Sequence, residues 1–466
     1  MHLTIEERWR WWRSIGAPRY VCAPMVLQSE LSFRMLVRAH GTTLCYSPMV
    51  PVSAFLASAA DGVAEHPLTG GPNTQASWFT TDATDRPLIA QLGGNDAEEL
   101  CAVGQMLQSR VDAIDINFGC PQRCAEQGGY GAFLMEDAPR VQHIIETLVA
   151  RLAVPITAKI RIWSDLDRTI DFARMLEAAG VAAVCVHGRR REQRHHEGPA
   201  DWDTIRAIKQ ALRIPVISNG SVRRRAEAEA CLEYTGCDSV MSATALLANP
   251  FLFAPSPPPA EASTSSSSGS GGCLMRDGKP TALGRLRSAR EYLLHVERYP
   301  DGTLDRMVSD HLLSILRPDL EAKEHADIKK ACKAFLRVEG GVDYYARRVV
   351  DELEARLLGL KHADPDRTQG VSAGVSAGGL PAAKHVSAAP PAPAPIETVA
   401  VDPDAIRRAA RKGQKRRGRE RRGMFLVRAP CSWSSATAML KHPLALSVMM
   451  IGVLLGLSGV RLASYE

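Results

Sequence analysis

The 466-residue chain lacks the paired cysteine spacing of a disulfide framework: its eleven cysteines are scattered, and their number is odd. That pattern argues against a bridge-stapled secreted scaffold and for a reducing compartment. Cys120 and Cys124 are separated by three residues, with no second Cys or His pair nearby, so no metal site is expected there. The first thirteen residues set Trp9, Trp11 and Trp12 among charged side chains and contain no apolar h-region, so no secretory signal is expected. No G-x-G-x-x-G follows the first apolar run, which counts against a dinucleotide-binding doubly wound sheet. Positive charge is also missing from most of the chain. The net charge is +6, yet the segment 407–422 alone, with ten Lys/Arg and one Glu, carries +9 and leaves −3 for the rest.

What is present is an alternation of short apolar runs with amphipathic stretches from Tyr20 to Phe253, the pattern of repeated βα units. Eight strands are expected: Val21–Ala23, Leu44–Ser47, Leu88–Leu92, Ala113–Asn117, Ile156–Ile160, Ala183–His187, Val216–Asn219 and Ser239–Ser242. Between them, Leu166–Ala179 and Thr204–Leu212 repeat apolar residues at helical spacing. Eight parallel strands in this span fit an α/β fold of the (β/α)8 TIM barrel type, typically ~250 residues long. An open doubly wound sheet is the alternative. The chain divides into an N-terminal segment 1–19, the barrel 20–254, a Pro/Ser/Gly-rich linker 255–280 and a smaller all-helical domain 281–360. A disordered linker 361–404, a basic tail 405–423 and an apolar segment 424–466 follow.

The stretch around which this organisation turns is Asp115-Ile116-Asn117-Phe118-Gly119-Cys120-Pro121, running on to Gly128-Gly129-Tyr130-Gly131. Gly119 and Pro121 stop a strand abruptly and present a thiol on a turn at its carboxyl end. Taken alone, such a cysteine is more often a small buried hydrophobe. Its company decides otherwise. The carboxyl ends of the other strands carry Pro24-Met25, Ser47-Pro48-Met49, Gln91, Lys159 with Arg161, His187, Asn219-Gly220-Ser221 and Ala243-Thr244, and a barrel brings all of these to one mouth. The set fits a flavin. The last two strand ends offer backbone N–H groups to a phosphate. Lys159 offers charge to an anionic reduced ring, Gln91 a hydrogen bond to its pyrimidine edge and His187 a further donor. Cys120 then stands as a general acid, because an ordinary thiol pKa of ~8.5 keeps its proton at neutral pH.

These residues carry a family resemblance. Ala23-Pro24-Met25, Phe33-Arg34, Asn117-x-Gly119-Cys120-Pro121, Lys159-Ile160-Arg161, Val186-His187-Gly188-Arg189 and Ser218-Asn219-Gly220 resemble the tRNA-dihydrouridine synthases. Gly129-Tyr130-Gly131-Ala132-Phe133-Leu134 and Val240-Met241-Ser242-Ala243 are similar to the eukaryotic branch acting on D-loop uridines 16 and 17. The resemblance implies an FMN-containing TIM barrel that reduces uridine to 5,6-dihydrouridine in tRNA with NADPH or NADH. It implies flavin contacts at Pro24, Met25, Val26, Gln91, Lys159, His187, Asn219, Gly220, Ser221, Ala243 and Thr244. Asn117 and Arg161 would line the substrate pocket, and Cys120 would give its proton to uracil C5. Two departures stand out: Arg190 and Arg191 follow Arg189 where relatives carry Thr, and Ala243-Thr244 replaces a Gly-Arg pair.

Arg189-Arg190-Arg191 with Arg194, His195 and His196 forms a basic loop beside His187, suited to RNA phosphates or simply solvated. The basic run 407–422 reads as an RNA-binding tail or a nuclear address. Leu444–Val460 would span ~25 Å as a helix against a ~30 Å hydrocarbon core. It reads as a weak membrane anchor or an incidental apolar tail. A monomer in the cytoplasm or nucleus is expected. The competing functions are a barrel flavoenzyme reducing a free pyrimidine and a non-catalytic tRNA-binding protein on the same fold.

Overall fold

The structure is a computed structural model that describes residues 2–60, 79–194, 197–255, 274–300, 302–333 and 341–359. The expectations for 361–404, 405–423 and 424–466, including Leu444–Val460, lie outside the described residues, as do 61–78, 256–273, His195 and His196. The described residues all lie within one compact unit, Met1–Gln414. No described helix is long and apolar enough to cross a membrane.

Eight parallel strands close on themselves: β1 Tyr20–Cys22, β2 Leu44–Tyr46, β3 Leu88–Gly93, β4 Ala113–Phe118, β5 Ile156–Arg161, β6 Ala183–His187, β7 Val216–Asn219 and β8 Ser239–Ser242. Each pairs with the next, β1 pairs with β8, and a two-residue ladder at Val50–Pro51 extends the edge of β3. The closed order rules out the open sheet and establishes the (β/α)8 barrel. Successive residues of a strand point to opposite faces. Cys22, Leu88, Ile114, Ile116, Ala158 and Val184 therefore pack outward in the main core with the helices. Val21, Leu44, Ile89, Ala113, Ala183 and Ile217 fill the barrel interior. Both faces are buried, which is why the strands read as near-continuous apolar runs.

The N-terminal segment has a task the sequence did not announce. Helix Ile5–Ser14 is started by a capping box in which Thr4 and Glu7 exchange hydrogen bonds of 3.3 and 2.8 Å. Trp12, 2% exposed, joins the interior cluster. Trp11 Nε1 donates to the Asp112 carbonyl at 3.1 Å, Trp9 Nε1 to the Arg213 carbonyl at 2.7 Å, and Arg8 to the carbonyls of Glu177 and Val181. Those carbonyls all precede or end the turns into strands, so the helix closes the amino-terminal end of the barrel. Chemistry is left to the opposite mouth.

Downstream, residues 274–280, assigned to the linker, form a tight antiparallel hairpin with Asp277 and Gly278 at positive φ. Helix Ala282–Arg298 then packs against helix Leu31–Ala39 of the barrel, and helix Asp305–Ile315 packs against Ala282–Arg298 and the short helix Thr244–Ala248. A buried polar junction joins them: Glu30 accepts from Tyr292 Oη at 2.9 Å and meets His311 Nε2 at 3.1 Å, while the Phe33 and His311 rings stack at 4.5 Å. Burial would raise the Glu30 pKa, but the charge and hydrogen bond of His311, with the Tyr292 hydroxyl, hold it below the usual carboxylate range. The helical segment is therefore seated on Glu30, at the end of the loop that follows β1 and carries Pro24, Met25 and Val26.

Candidate active site

Strand register assembles the mouth. Asn117 lies beside Lys159 and Lys159 beside Cys185, while Arg161, His187, Asn219 and Met241 form the next row toward the carboxyl end. Gln91, Asp115 and Thr157 form the row below. All share the inward parity of Ile89, Ala113 and Ala183, with Cys185 and Met241 belonging to that same interior cluster, so the interior turns from apolar at its base to mostly polar at its open end.

Cys120 stands two residues beyond β4, on a turn with little freedom. Asn117 Oδ1 accepts from the backbone N–H of Gly119 at 3.0 Å and of Cys120 at 2.9 Å. Arg161 Nε donates to the Gly119 carbonyl at 2.7 Å, and Ala132 N–H to the Cys120 carbonyl at 3.0 Å. The Gly-Gly-Tyr-Gly run exists for this approach. Gly131 has φ +66°, and a Cβ there would lie 2.6 Å from the Cys120 carbonyl oxygen and 3.0 Å from Cys120 Cβ. Gly131→Ala is expected to push the Cys120 turn aside and lower turnover at least about tenfold while the fold is retained; kcat and the urea midpoint measured together check this. Burial pushes the Cys120 thiol pKa up, against the opposing pull of Arg161 and Lys159, so the group keeps its proton at neutral pH.

Below the turn runs a line of hydrogen bonds. Asn117 Nδ2 donates to Gln91 Oε1 at 2.9 Å, Gln91 Nε2 to Asp115 Oδ2 at 2.8 Å, and Thr157 Oγ1 to Asp115 Oδ1 at 2.7 Å. Asp115 is fully buried, and that burial pushes its carboxyl up to about 6. Beside this filled network are unfilled groups. Among the described residues the Lys159 ammonium has no hydrogen-bond or ion-pair partner, and burial lowers its pKa. His187 Nδ1 is buried without a partner. Burial, then the charges of Lys159, Arg161 and Arg189, hold His187 well below the ordinary histidine range, so its ring is neutral at pH 7. Arg161, lowered to about 10 by burial, remains a cation.

The far side of the mouth is built from backbone. Gly220 has φ +115°, and a Cβ on it would lie 2.7 Å from Ala200 Cβ and 3.4 Å from His187 Cε1. Ser221 follows at φ +60°, its hydroxyl accepting from Ala200 N–H at 2.7 Å and from Arg189 Nη2 at 3.2 Å. Asn219 Nδ2 donates to the Met241 carbonyl at 3.0 Å, tying the end of β7 to β8. Ala243 precedes the short helix Thr244–Ala248, and Thr244 is exposed.

Of the residues singled out from the sequence, the barrel ends bring Gln91, Asn117, Cys120, Lys159, Arg161 and His187 to one mouth. Pro24 and Met25 are half-buried and Val26 exposed on the loop after β1. Arg189 is oriented differently from its basic neighbours. It is 9% exposed, and its guanidinium bridges the Gly198 carbonyl and Ser221. It braces the Gly220-Ser221 loop, while Arg190 and Arg194 are exposed and Arg191 pairs with Glu136 and Glu192. Sequence reasoning assigned nothing to Asp115, Thr157 or Tyr46. The available signal was a carboxylate between Ile114 and Ile116 on the inward parity of a buried strand.

Comparison with known proteins agrees with this geometry. The family model described as Dihydrouridine synthase (Dus) matches residues 21–268. A tRNA-dihydrouridine(16/17) synthase-like protein of Rattus norvegicus is 41% identical over 244 residues, 52% of this chain and 53% of that protein. The tRNA-dihydrouridine(16/17) synthase of Saccharomyces cerevisiae is 38% identical over 244 residues, 51% of this chain and 55% of the yeast protein. A tRNA-dihydrouridine(20a/20b) synthase-like protein of Homo sapiens is 42% identical over 237 residues, 50% of this chain and 70% of the human one. The chain spans about half the length of the first two relatives.

Proposed function

The chain belongs to the dihydrouridine synthase family, and from that premise we propose that it reduces the C5=C6 bond of uridine in tRNA to 5,6-dihydrouridine, with FMN as its redox group and NADPH or NADH as reductant. The reading places the reaction at D-loop uridines 16 and 17, the positions in the names of the rat and yeast relatives. One observation carries the reading: a protonated thiol, pinned by Asn117, opens onto the same mouth as an unpartnered lysine and an unpartnered buried histidine nitrogen.

The residues present fit a flavin. The unfilled His187 Nδ1 and Lys159 ammonium await polar partners, and a backbone cradle at Gly220 has no room for a side chain. Pro24, Met25, Val26, Gln91, Lys159, His187, Asn219, Gly220, Ser221, Ala243 and Thr244 would hold it. FMN, when bound and reduced, supplies the hydride taken up at uracil C6. Cys120 gives its thiol proton to C5, and Asn117 keeps that thiol in place through the backbone of residues 119 and 120. Arg161 orients the substrate while bracing the Gly119 carbonyl. Neutral His187 donates or accepts without adding charge.

A uridine in folded tRNA has to leave its stack to reach this mouth. Helices 281–360, seated beside the β1 loop, serve as the tRNA-docking domain, and the exposed Arg190 and Arg194 and the basic run 405–423 add phosphate contacts. A monomer in the cytoplasm or nucleus suffices. The test is turnover of NADPH by the flavin-loaded chain on unmodified tRNA against free uracil and orotate. Reduction of tRNA alone is expected, and turnover on a free pyrimidine would overturn the proposal.

A further inference from the structure

We propose that Asp115 is a positioning residue of this site: through Gln91 and Asn117 it sets the direction in which the Cys120 turn is held. The inference rests on the tRNA-reducing reading for its kinetic consequence, but its geometry stands without it. A side-chain amide has one donor end and one acceptor end, so a line of amides has a polarity. At its outer end that polarity is dictated by backbone, because the N–H groups of Gly119 and Cys120 can only donate and Asn117 must turn its oxygen to them. Asn117 Nδ2 is then left for Gln91 Oε1, and Gln91 Nε2 is left for an acceptor further in. Asp115 is that acceptor, and its second oxygen takes the Thr157 hydroxyl.

No other ionisation state or residue type satisfies both contacts as well. An asparagine offers one oxygen to two donors, and a protonated carboxyl turns one of its acceptors into a donor. Either change leaves Gln91 free to reverse, and a reversed Gln91 faces Asn117 with its NH2 and unsettles the turn above. A carboxylate is expensive in such surroundings. The groups facing it are Tyr46 from β2, Gln91 from β3, Thr157 and Lys159 from β5 and Cys185 from β6, of which Lys159 alone is a cation. That a buried, up-shifted carboxyl is nevertheless kept one turn below the reacting thiol is the mark of a working group. Carboxyl protonation near pH 6 should therefore slacken the turn in the wild-type protein.

The experiment compares the flavin-loaded full chain with Asp115→Asn. Backbone hydrogen exchange of the peptide covering residues 117–121 is read across pH 5 to 8 (roughly the window spanning the group's titration), alongside kcat and KM for tRNA. Asp115→Asn is expected to exchange faster at Gly119 and Cys120, to lose about a hundredfold in kcat with little change in KM, and to lack the acid limb of the wild-type profile. Unchanged exchange with the acid limb intact would overturn the proposal. Should Asp115→Asn not fold, Thr157→Val removes one of the two donors and is expected to move the acid limb to higher pH; an unmoved limb would count equally against it. Faster exchange in a protein whose wild type reduces no tRNA would support the network while refuting the substrate.

Discussion

Cys120→Ala is expected to lower dihydrouridine formation by about a hundred- to ten-thousandfold, the usual worth of a positioned general acid, while flavin stays bound. The thiol touches the mouth from the β4 side, and the groups assigned to the flavin sit on β3 and β5 through β8 and on the β1 loop. The cofactor's seat therefore does not depend on it. Cys120→Ser should fall nearly as far, because a hydroxyl parts with its proton far less readily than a thiol. The pH dependence separates this account from one in which a thiolate attacks. Burial raises the Cys120 pKa and the protonated form is the active one. Activity should therefore persist through the ordinary thiol range and fall only as pH rises through the raised value; a nucleophile would show the opposite slope. Single-turnover reduction of tRNA across pH, with flavin absorbance recorded on the same samples, checks both statements.

Asp85→Ala is expected to cost about 3–5 kcal/mol of stability, the penalty for stranding buried charge. Asp85 and Arg34 are fully buried, with Arg34 Nε and Nη2 donating to Asp85 Oδ2 at 2.9 and 2.6 Å. Arg38 Nε reaches the other oxygen at 2.9 Å. Further donors of the two arginines go to the carbonyls of Ser29, Thr80 and Pro87. Removing the carboxylate leaves two largely buried guanidinium groups without their counter-charge. Adding Arg34→Met to Asp85→Ala should recover part of the loss, since the cost comes from unmatched charge rather than from a lost attraction. Burial opposes ionisation of Asp85, but Arg34 and Arg38 prevail and hold its pKa below the usual range. Its stabilising share is therefore present above about pH 4, the unfolded value, and is lost as pH falls through the lower folded one. Urea midpoints at constant m-value, taken at neutral and acid pH, read both effects.

The barrel was legible because both faces of every strand are buried, so eight apolar runs marked eight strands. Boundaries moved by a residue or so, as in Tyr20–Cys22 for Val21–Ala23, since a strand ends where its ladder ends and not where hydrophobicity does. The mouth was legible because polar residues at strand ends have nowhere else to go. The remainder depended on distance in sequence. Phe33-Arg34 was visible as a motif, but its partner Asp85 lies 51 residues downstream, where nothing local marks the pair. Two tryptophans of the first helix meet the carbonyls of Asp112 and Arg213, a hundred residues apart, a target no local pattern describes. Arg189 looked like its basic neighbours, and only the fold shows that Gly198 bends back to receive it. The hairpin at 275–280 was averaged into a Pro/Ser/Gly-rich stretch.

The most direct measurement maps dihydrouridine across the tRNA of cells that lack this protein, resupplied with either the wild-type chain or Cys120→Ala. The account predicts that positions 16 and 17 lose the modification, regain it with the wild type and stay uridine with the variant. Full dihydrouridine in the absence of the protein, or restoration by Cys120→Ala, would contradict it.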